Sequence, residues 1–378
     1  MINEEQLLEL KLKLEEEETS RQKSDVLSEE LNHLCLKARS KEIFSIDEQI
    51  DYARHKGISI AESEETIVRD ILSNRTYYFK VTAYRKNFEK DANGKYVNLS
   101  FIQLNDLAKI DMYLRMTLSR MIFELEHSLK TLLVNLITNS LDEDGYSIVK
   151  EYDSYMQTKF VLLQRKKGNI SNEEEVLFGY VQASHKIIDK IKGKFGYDFD
   201  FYSRHHHNIS IWVLLEIMTL GNLQRFIEFY FEKKYFGYQK LKTANQLLKY
   251  VTNVRNAAAH SRPLIYNIVE PFQYGKKNQI KNKRASIQLT QFAEKSGVDS
   301  ELSNRVLTNR KMNDIVTTLY LHDKYVTTAK LKQKASKDLQ ELVKRIRANR
   351  EIYRKNDDLL ETFKFFKKII TRYSELNA

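Results

Sequence analysis

Proline and glycine are scarce in this chain. Its 378 residues include 2 prolines, Pro263 and Pro271, and 11 glycines. Because sheet proteins need turn-forming residues at roughly every 8–12 positions, this composition argues against an all-β fold and favours long helices with few tight turns. The sequence therefore predicts an all-α protein, with one small hairpin near residues 84–98, where Asn93 and Gly94 give a reverse-turn signal.

Cysteines and long apolar runs are also missing. The single cysteine, Cys35, excludes an internal disulfide and a Cys-rich zinc site, which fits a reducing compartment. No run approaches the roughly 18 apolar residues of a membrane span. The acidic start of the chain lacks the basic residues and apolar core of a signal peptide. We therefore expect a soluble cytoplasmic protein that has no membrane partner.

Two common kinds of nucleotide and nuclease site are absent as well. The chain contains no Gly-rich phosphate loop of the G-x-x-x-x-G-K-[ST] type, so nucleotide hydrolysis has no support. It also lacks clustered Asp and Glu residues with metal-ligand spacing, which disfavours a two-metal nuclease. We expect no cofactor and no metal.

Positive charge is concentrated at the C-terminal end. Residues 1–43 carry 7 basic and 11 acidic side chains, residues 44–270 carry 31 and 28, and residues 271–378 carry 24 and 12. The excess after residue 270 indicates a polyanionic partner, because neutralising phosphates releases counterions. A solvated lysine-rich helical surface is the alternative. The pattern predicts an acidic N-terminal helical arm, a core and a basic helical extension over these three ranges.

Apolar periodicity and capping signals predict the main helices. Ser45 followed by Glu48 is the signature of a capping box, and Gly57 ends the short helix that this box begins. The longer helices are expected at about residues 103–140, 147–167, 210–232, 239–262, 300–320 and 328–376.

One short stretch holds residue types that suit phosphodiester cleavage. Arg255, Asn256 and His260 are separated only by alanines. Arginine binds phosphate bidentately, histidine transfers protons near neutral pH, and an amide one turn before a histidine can hold its ring in one tautomer. The spacing alone is weak, and in the alternative interpretation Arg255 binds a carboxylate while His260 simply ends a helix.

The helical geometry of this motif predicts a homodimer. Asn256 and His260 are four residues apart and share a helix face. Arg255 lies about 140° from His260 around the helix axis. Two copies of the motif that face each other across a two-fold axis would complete a site that one copy does not assemble on a single face.

Other conspicuous residues have structural interpretations. Consecutive histidines do not easily face one ion, so His205, His206 and His207 indicate a surface loop near the site. Trp212, the only tryptophan, is expected in the core. Three further residues are expected to form buried polar links between helices, with a catalytic role as the alternative: Asp111, Arg115 and Glu126.

An ordered series of segments resembles a known family over about residues 44–268. The segments are Phe44 to Ile50 with Gly57, Tyr77-Tyr78 with Tyr84, Asp111 to Arg115, Glu126 to Lys130, and Trp212 with Thr219 to Leu223 ahead of the Arg255–His260 motif. The series is similar to the Abi-like family of bacterial abortive-infection proteins, the AbiD/AbiF type. These belong to the HEPN superfamily, which also supplies the ribonuclease domains of RNA-guided type VI CRISPR effectors.

The resemblance implies a HEPN-like helical bundle that cleaves RNA without a metal. Arg255 and His260 map onto the paired catalytic positions of the family, and Asn256 maps onto its polar neighbour. The expected partners are a cleaved RNA and a small structured non-coding RNA that restrains the nuclease as a toxin. The candidate RNA-binding residues are Lys276, Lys277, Lys281, Lys283, Arg284, Lys344, Arg345 and Arg347.

Two other classes of function stay open at this point. In the first, the chain is a non-catalytic RNA-binding module, and Arg255 and His260 only grip a nucleic-acid backbone. In the second, it is a scaffold whose basic helix contacts protein partners. Loss of cleavage with retained RNA binding in His260→Ala would favour the enzyme, and the scaffold predicts no salt-dependent affinity for RNA.

Overall fold

The computed structural model of the chain describes residues 31–141, 143–168, 177, 179–193, 195–269 and 286–377. Helices account for most of these residues, and the prediction of an all-α protein is confirmed. The chain forms two compact units. The first unit takes residues 31–111 together with 265–269 and 348–361, and the second takes the other described residues.

The first unit consists of short helices and one pair of short strands. Its elements are α1 (31–40 among the described residues), α2 (Ile46–His55), β1 (Ile58–Ser59), α3 (Glu62–Asp70), a π-helical turn (Ile71–Arg75), α4 (Tyr78–Val81), a 3-10 turn (Thr82–Asn87), β2 (Leu99–Ser100), the first residues of α5 (Phe101–Thr138) and a 3-10 turn (Arg350–Tyr353). The two strands pair in parallel, with Ile58 opposite Leu99 and Ser59 opposite Ser100.

Local signals determine both ends of α2. The Glu48 amide donates to Ser45 Oγ at 3.2 Å, and the Ser45 amide donates to Glu48 Oε2 at 2.6 Å, so the capping box is confirmed. After the helix, Gly57 adopts a φ of +83°. A Cβ atom at Gly57 would lie 2.5 Å from the carbonyl oxygen of Tyr96, so this turn requires glycine.

The hairpin expected near residues 84–98 is smaller than predicted. Only Lys90 and Tyr96 form an antiparallel bridge, and Gly94 turns the chain between them with a φ of +76°. Residues 82–87 form a 3-10 turn instead of a strand.

The second unit is helical among its described residues. Its elements are the rest of α5, α6 (Ser147–Lys166), α7 (Ala183–Ile188), a 3-10 turn (Asp189–Ile191), α8 (Phe199–His205), α9 (Ile211–Ile217), α10 (Leu220–Glu232), a 3-10 turn (Tyr238–Leu241), α11 (Lys242–Ala259), α12 (Ile287–Lys295), α13 (Ser300–Thr308), α14 (Arg310–Tyr325), α15 (Ala329–Ala348) and most of α16 (Asp357–Leu376). The α11 helix packs mainly against α14 and α10.

Three of the predicted long helices are broken in the structure. Met218 and Asn309 are extended, and they separate α9 from α10 and α13 from α14. In the first unit, the Asn349 side chain donates to Asp106 Oδ1 at 2.6 Å beyond the end of α15. The sequence has neither glycine nor proline at these breaks. Capping and packing interactions end the helices there instead.

The α5 helix runs for 38 residues without glycine or proline. One face is buried, with Leu114, Leu118, Leu125 and Leu129 each at most 1% exposed. Another face stays exposed within the second unit, and its apolar side chains are Met112, Met116, Phe123 and Val134. We call these four residues the α5 stripe.

The expectation that Trp212 lies in the core is wrong. Its side chain is 50% exposed, because the neighbouring residues Ile211 and Val213 face the interior of the unit in its place. The indole ring covers Gly145, where a Cβ atom would lie 2.3 Å from the ring. Among the described residues, no helix combines the length and the apolar character that spanning a membrane requires.

Candidate functional site

The helix α11 carries the Arg255–His260 motif at its C-terminal end. Its buried face includes Leu248, Val251 and Val254, which anchor the helix in the second unit. The next residues turn away from that face, so Arg255 and Asn256 are half-buried and His260 is exposed. The structure therefore places all three motif residues at one solvent-accessible helix end.

A left-handed turn ends α11 directly at the motif. His260 is the C-cap, and the following residue, Ser261, has a φ of +51°. The Arg262 amide donates to the Ala257 carbonyl at 2.8 Å, and the Ser261 amide donates to the Ala258 carbonyl at 3.0 Å. These are the two hydrogen bonds of a Schellman motif, which satisfies helix carbonyls that would otherwise lack donors. The turn therefore sets the direction in which the chain leaves His260.

The side chain of Asn256 contacts Arg255, and not the His260 ring that the four-residue spacing predicted as its partner. The Arg255 Nη1 group donates to Asn256 Oδ1 at 3.2 Å. The imidazole of His260 has no hydrogen-bond partner within the part of the chain that the structure describes, and Arg255 forms no ion pair there. Arg255 therefore does not bind a described carboxylate. Its guanidinium group donates to a neutral amide, which does not neutralise the positive charge, so the group is available to bind an anion.

The segment after the motif is held within the first unit. Asn87 Nδ2 donates to the Ile265 carbonyl at 2.8 Å, and the Ile268 amide donates to Asn87 Oδ1 at 2.8 Å. The Ile265 amide donates to the buried Asp111 carboxylate at 2.8 Å. Asp111 thus binds a backbone amide, and Glu126 forms an ion pair with Lys130 on its own helix at 3.1 Å.

The α14 helix supplies site residues that the sequence did not indicate. Asn253, two residues before Arg255, donates from Nδ2 to Asp314 Oδ2 at 3.0 Å. Lys311 Nζ donates to the carbonyl of Pro263, three residues after His260, at 3.3 Å. Because these residues are about 50 to 60 positions apart along the chain, no local spacing could have revealed the pairs.

Asp314 is an acidic residue of this region whose pKa is raised. The residue is 5% exposed, and burial raises the pKa of its carboxyl to about 6 although the Asn253 and Asn313 side chains act in the opposite direction. A buried carboxyl group with a raised pKa is a common feature of functional sites, although structural pairs produce it as well.

The predicted RNA-binding residues fall into two groups. Lys276, Lys277, Lys281, Lys283 and Arg284 lie outside the described residues. The other three residues belong to α15. Lys344 Nζ lies 2.6 Å from Glu341 Oε1, the Arg345 guanidinium lies 5.0 Å from the centre of the Tyr113 ring, and Arg347 is exposed. Arg345 therefore already packs on an aromatic ring of its own unit.

The histidine run spans the end of α8: His205 is the last residue of the helix, and His206 and His207 follow it. The His206 ring stacks on Tyr202 with centroids 4.5 Å apart, and its Nδ1 lies 3.0 Å from the Tyr202 carbonyl oxygen. Among the described residues, no group of three or more His, Cys, Asp and Glu side chains is arranged to hold a metal ion.

Comparison with known families gives one match. The family model described as Abi-like protein matches residues 70–267, which is slightly more than half of the chain and includes all of α11. No curated protein and no solved structure matches the chain.

Proposed function

We propose that this chain, which belongs to the Abi-like protein family, is a metal-independent endoribonuclease of abortive-infection defence. The family indicates the defence role. The ribonuclease activity is our inference, and its support is the placement of an arginine, an amide and a histidine at the accessible end of α11. We expect the chain to have the helical fold of the HEPN superfamily.

The proposed reaction is attack of a ribose 2′-OH on the adjacent 3′ phosphate. The 2′ oxygen forms a bond to phosphorus, the bond to the 5′ oxygen of the next nucleotide breaks, and the products are a 2′,3′-cyclic phosphate and a 5′-OH. His260 transfers the proton, either from the attacking hydroxyl or to the leaving oxygen. Arg255 stabilises the charge on the phosphorane, and the amide of Asn256 orients the guanidinium.

A homodimer forms part of the proposal, because each chain holds one motif. The α5 stripe is a suitable surface for the second copy, since its four side chains are 36–66% exposed. On an ideal helix they fall within about 40° of one another and extend over about 33 Å. Phe123 is the midpoint of the stripe. A two-fold axis at Phe123 therefore pairs Met112 of one copy with Val134 of the other and buries the same residues in both.

The basic extension is the proposed site of a structured regulatory RNA. Support comes from the exposed lysines and arginine on α15, including Lys330, Lys337 and Arg347. Phosphate contacts of this kind weaken as salt increases. In this arrangement the RNA restrains the nuclease, and its loss during infection releases the toxin.

The decisive experiment compares wild-type protein with His260→Ala on labelled RNA in the presence of a chelator. We expect wild type to cleave RNA, and a 2′-deoxy substitution at the scissile nucleotide to abolish cleavage. His260→Ala should lose cleavage and keep its affinity for RNA. His33→Ala, which removes another exposed histidine, is the matched control and should cleave normally. Cleavage of an all-DNA substrate would contradict the mechanism.

The competing function is a non-catalytic RNA-binding module. It is favoured if wild-type protein binds RNA but cleaves none, and if His260→Ala lowers the affinity. Expression without the neighbouring non-coding DNA separates the two in cells. The enzyme predicts that wild type, but not His260→Ala, arrests growth.

A further inference from the structure

We infer that α14 is the positioning element of the proposed site, holding the motif end of α11 in place for RNA cleavage. The inference rests on the proposed ribonuclease function. It goes beyond the family match, because that match ends at residue 267 and α14 begins at Arg310. The part of the basic extension that forms α14 is then required for catalysis and is not only an RNA-binding surface.

Three contacts join the two helices along their length. At one end, the Tyr325 hydroxyl accepts from the Ala244 amide at 3.0 Å and donates to the Lys240 carbonyl at 3.1 Å. In the middle, Asp314 accepts from Asn253, and at the other end Lys311 donates to Pro263. The order of these contacts shows that the two helices run antiparallel. The contacts at Ala244 and Asn253 precede the motif, and the contact at Pro263 follows it.

The Tyr325 contact replaces a missing helix cap. Leu241 is the N-cap of α11 and has no side-chain acceptor. The Lys242 amide donates to the Gln239 carbonyl of the preceding 3-10 turn, and the next amides of the helix receive no cap from the Leu241 side chain. The Tyr325 hydroxyl binds one of these amides from outside the helix. This bond fixes the start of α11 along its axis.

The other two contacts lie on either side of Arg255 and His260. Asn253 is half a turn before Arg255, and Pro263 follows the Schellman turn at His260. Asn309 fixes the first turn of α14, where Lys311 lies, because its Oδ1 accepts the amides of Lys311 and Met312 at 3.0 and 3.3 Å. The pair of contacts therefore sets both the rotation of α11 at the motif and the path of the chain after it.

The energetics of Asp314 support a positioning role. Burial of this carboxyl disfavours its charged form, so the group costs stability at neutral pH. A neutral side chain would fill the same place without that cost. The acid instead holds the amide of Asn253 next to the motif.

The test compares two substitutions of Asp314 in the full chain. Asp314→Ala removes the acceptor for Asn253, and we expect kcat for RNA cleavage to fall about tenfold to a hundredfold while KM stays near its wild-type value. Asp314→Asn keeps an acceptor oxygen in the same place and should restore kcat. Ser184→Ala is the destabilised control, because it removes a buried 2.5 Å hydrogen bond from Ser184 on α7 to Asp153 on α6, outside α11 and α14. It should lower the melting temperature and leave kcat unchanged.

Two outcomes overturn the inference. The first is a wild-type kcat in Asp314→Ala, and the second is an equal loss of kcat in Asp314→Ala and Ser184→Ala, which would show a general effect of stability. If wild-type protein cleaves no RNA, the proposed function fails, and hydrogen exchange then tests the positioning alone. Amides of residues 254–262 should exchange about tenfold faster in Asp314→Ala than in Ser184→Ala. Equal exchange rates would refute the role of α14.

Discussion

The buried carboxyl of Asp314 makes a quantitative prediction about stability. Its pKa rises from 3.8 to about 6 in the folded protein because of burial. One pKa unit corresponds to about 1.4 kcal/mol, so the ionised group lowers the free energy of unfolding by at most about 3 kcal/mol at neutral pH. Asp314→Asn removes the charge and keeps an acceptor for Asn253, and should therefore stabilise the protein by up to this amount.

The sign of the pH dependence follows from linkage. Between pH 3.8 and about 6 the folded protein keeps a proton on Asp314 that the unfolded chain has lost. The contribution of this group to stability therefore falls as the pH rises through this window. Asn carries no such proton, so the advantage of Asp314→Asn over wild type should be small below pH 3.8 and complete above about pH 6.

Urea unfolding of the two proteins at a series of pH values measures this advantage. Taking the difference between variant and wild type cancels the other titrating groups. The difference should grow by about 2 to 3 kcal/mol between about pH 4 and about pH 7. A difference that stays constant with pH would show that Asp314 is not desolvated in solution, and would refute its buried contact between α11 and α14.

Three other residues give independent tests. Ser261→Gly should raise the free energy of unfolding by about 1 kcal/mol, because glycine tolerates the φ of +51°, whereas a lower melting temperature than wild type would contradict the left-handed turn. Asp144→Asn should destabilise the protein at neutral pH, since the Ser147 backbone amide and hydroxyl lower the pKa of Asp144 to about 2. That loss should shrink as the pH falls from 3.8 towards 2, and a loss independent of pH would refute it. Phe123→Lys should shift sedimentation from dimer to monomer, while Leu162→Lys, at an exposed leucine on α6, should not; equal behaviour would exclude the α5 stripe as the interface.

The dimer and the site can be separated experimentally. If Phe123→Lys is monomeric and inactive, mixing it with His260→Ala restores no activity, because the first variant lacks an interface and the second lacks a catalytic group. If the monomeric variant cleaves RNA at the wild-type rate, the site is complete in one chain. Cleavage would then not require two copies of the motif.

Local sequence signals predicted several elements closely. The helices expected at about 103–140 and 147–167 are observed as Phe101–Thr138 and Ser147–Lys166. The capping box at Ser45 and the helix end near Pro263 were also predicted. Each of these features depends on residues within about one turn of each other, such as a cap or the absence of a helix breaker.

The same local reasoning failed where distant residues decide the structure. The breaks at Met218 and Asn309 contain neither glycine nor proline. Trp212 has an apolar side chain and still lies half in solvent, because Gly145 leaves room for its ring on the surface of the unit. Apolar character indicates that a residue tends to be buried, but the neighbouring elements determine which residues are buried.

The sequence by itself determined the helical class, the family and the position of Arg255, Asn256 and His260 at a helix end, because these depend on composition and short-range spacing. Only the tertiary structure showed that Asn256 contacts Arg255, and that Asp314 and Lys311 of α14 hold the chain on both sides of the motif. The physical reason is that a hydrogen bond between residues 61 positions apart depends on which helix faces meet, and packing of the whole unit decides that.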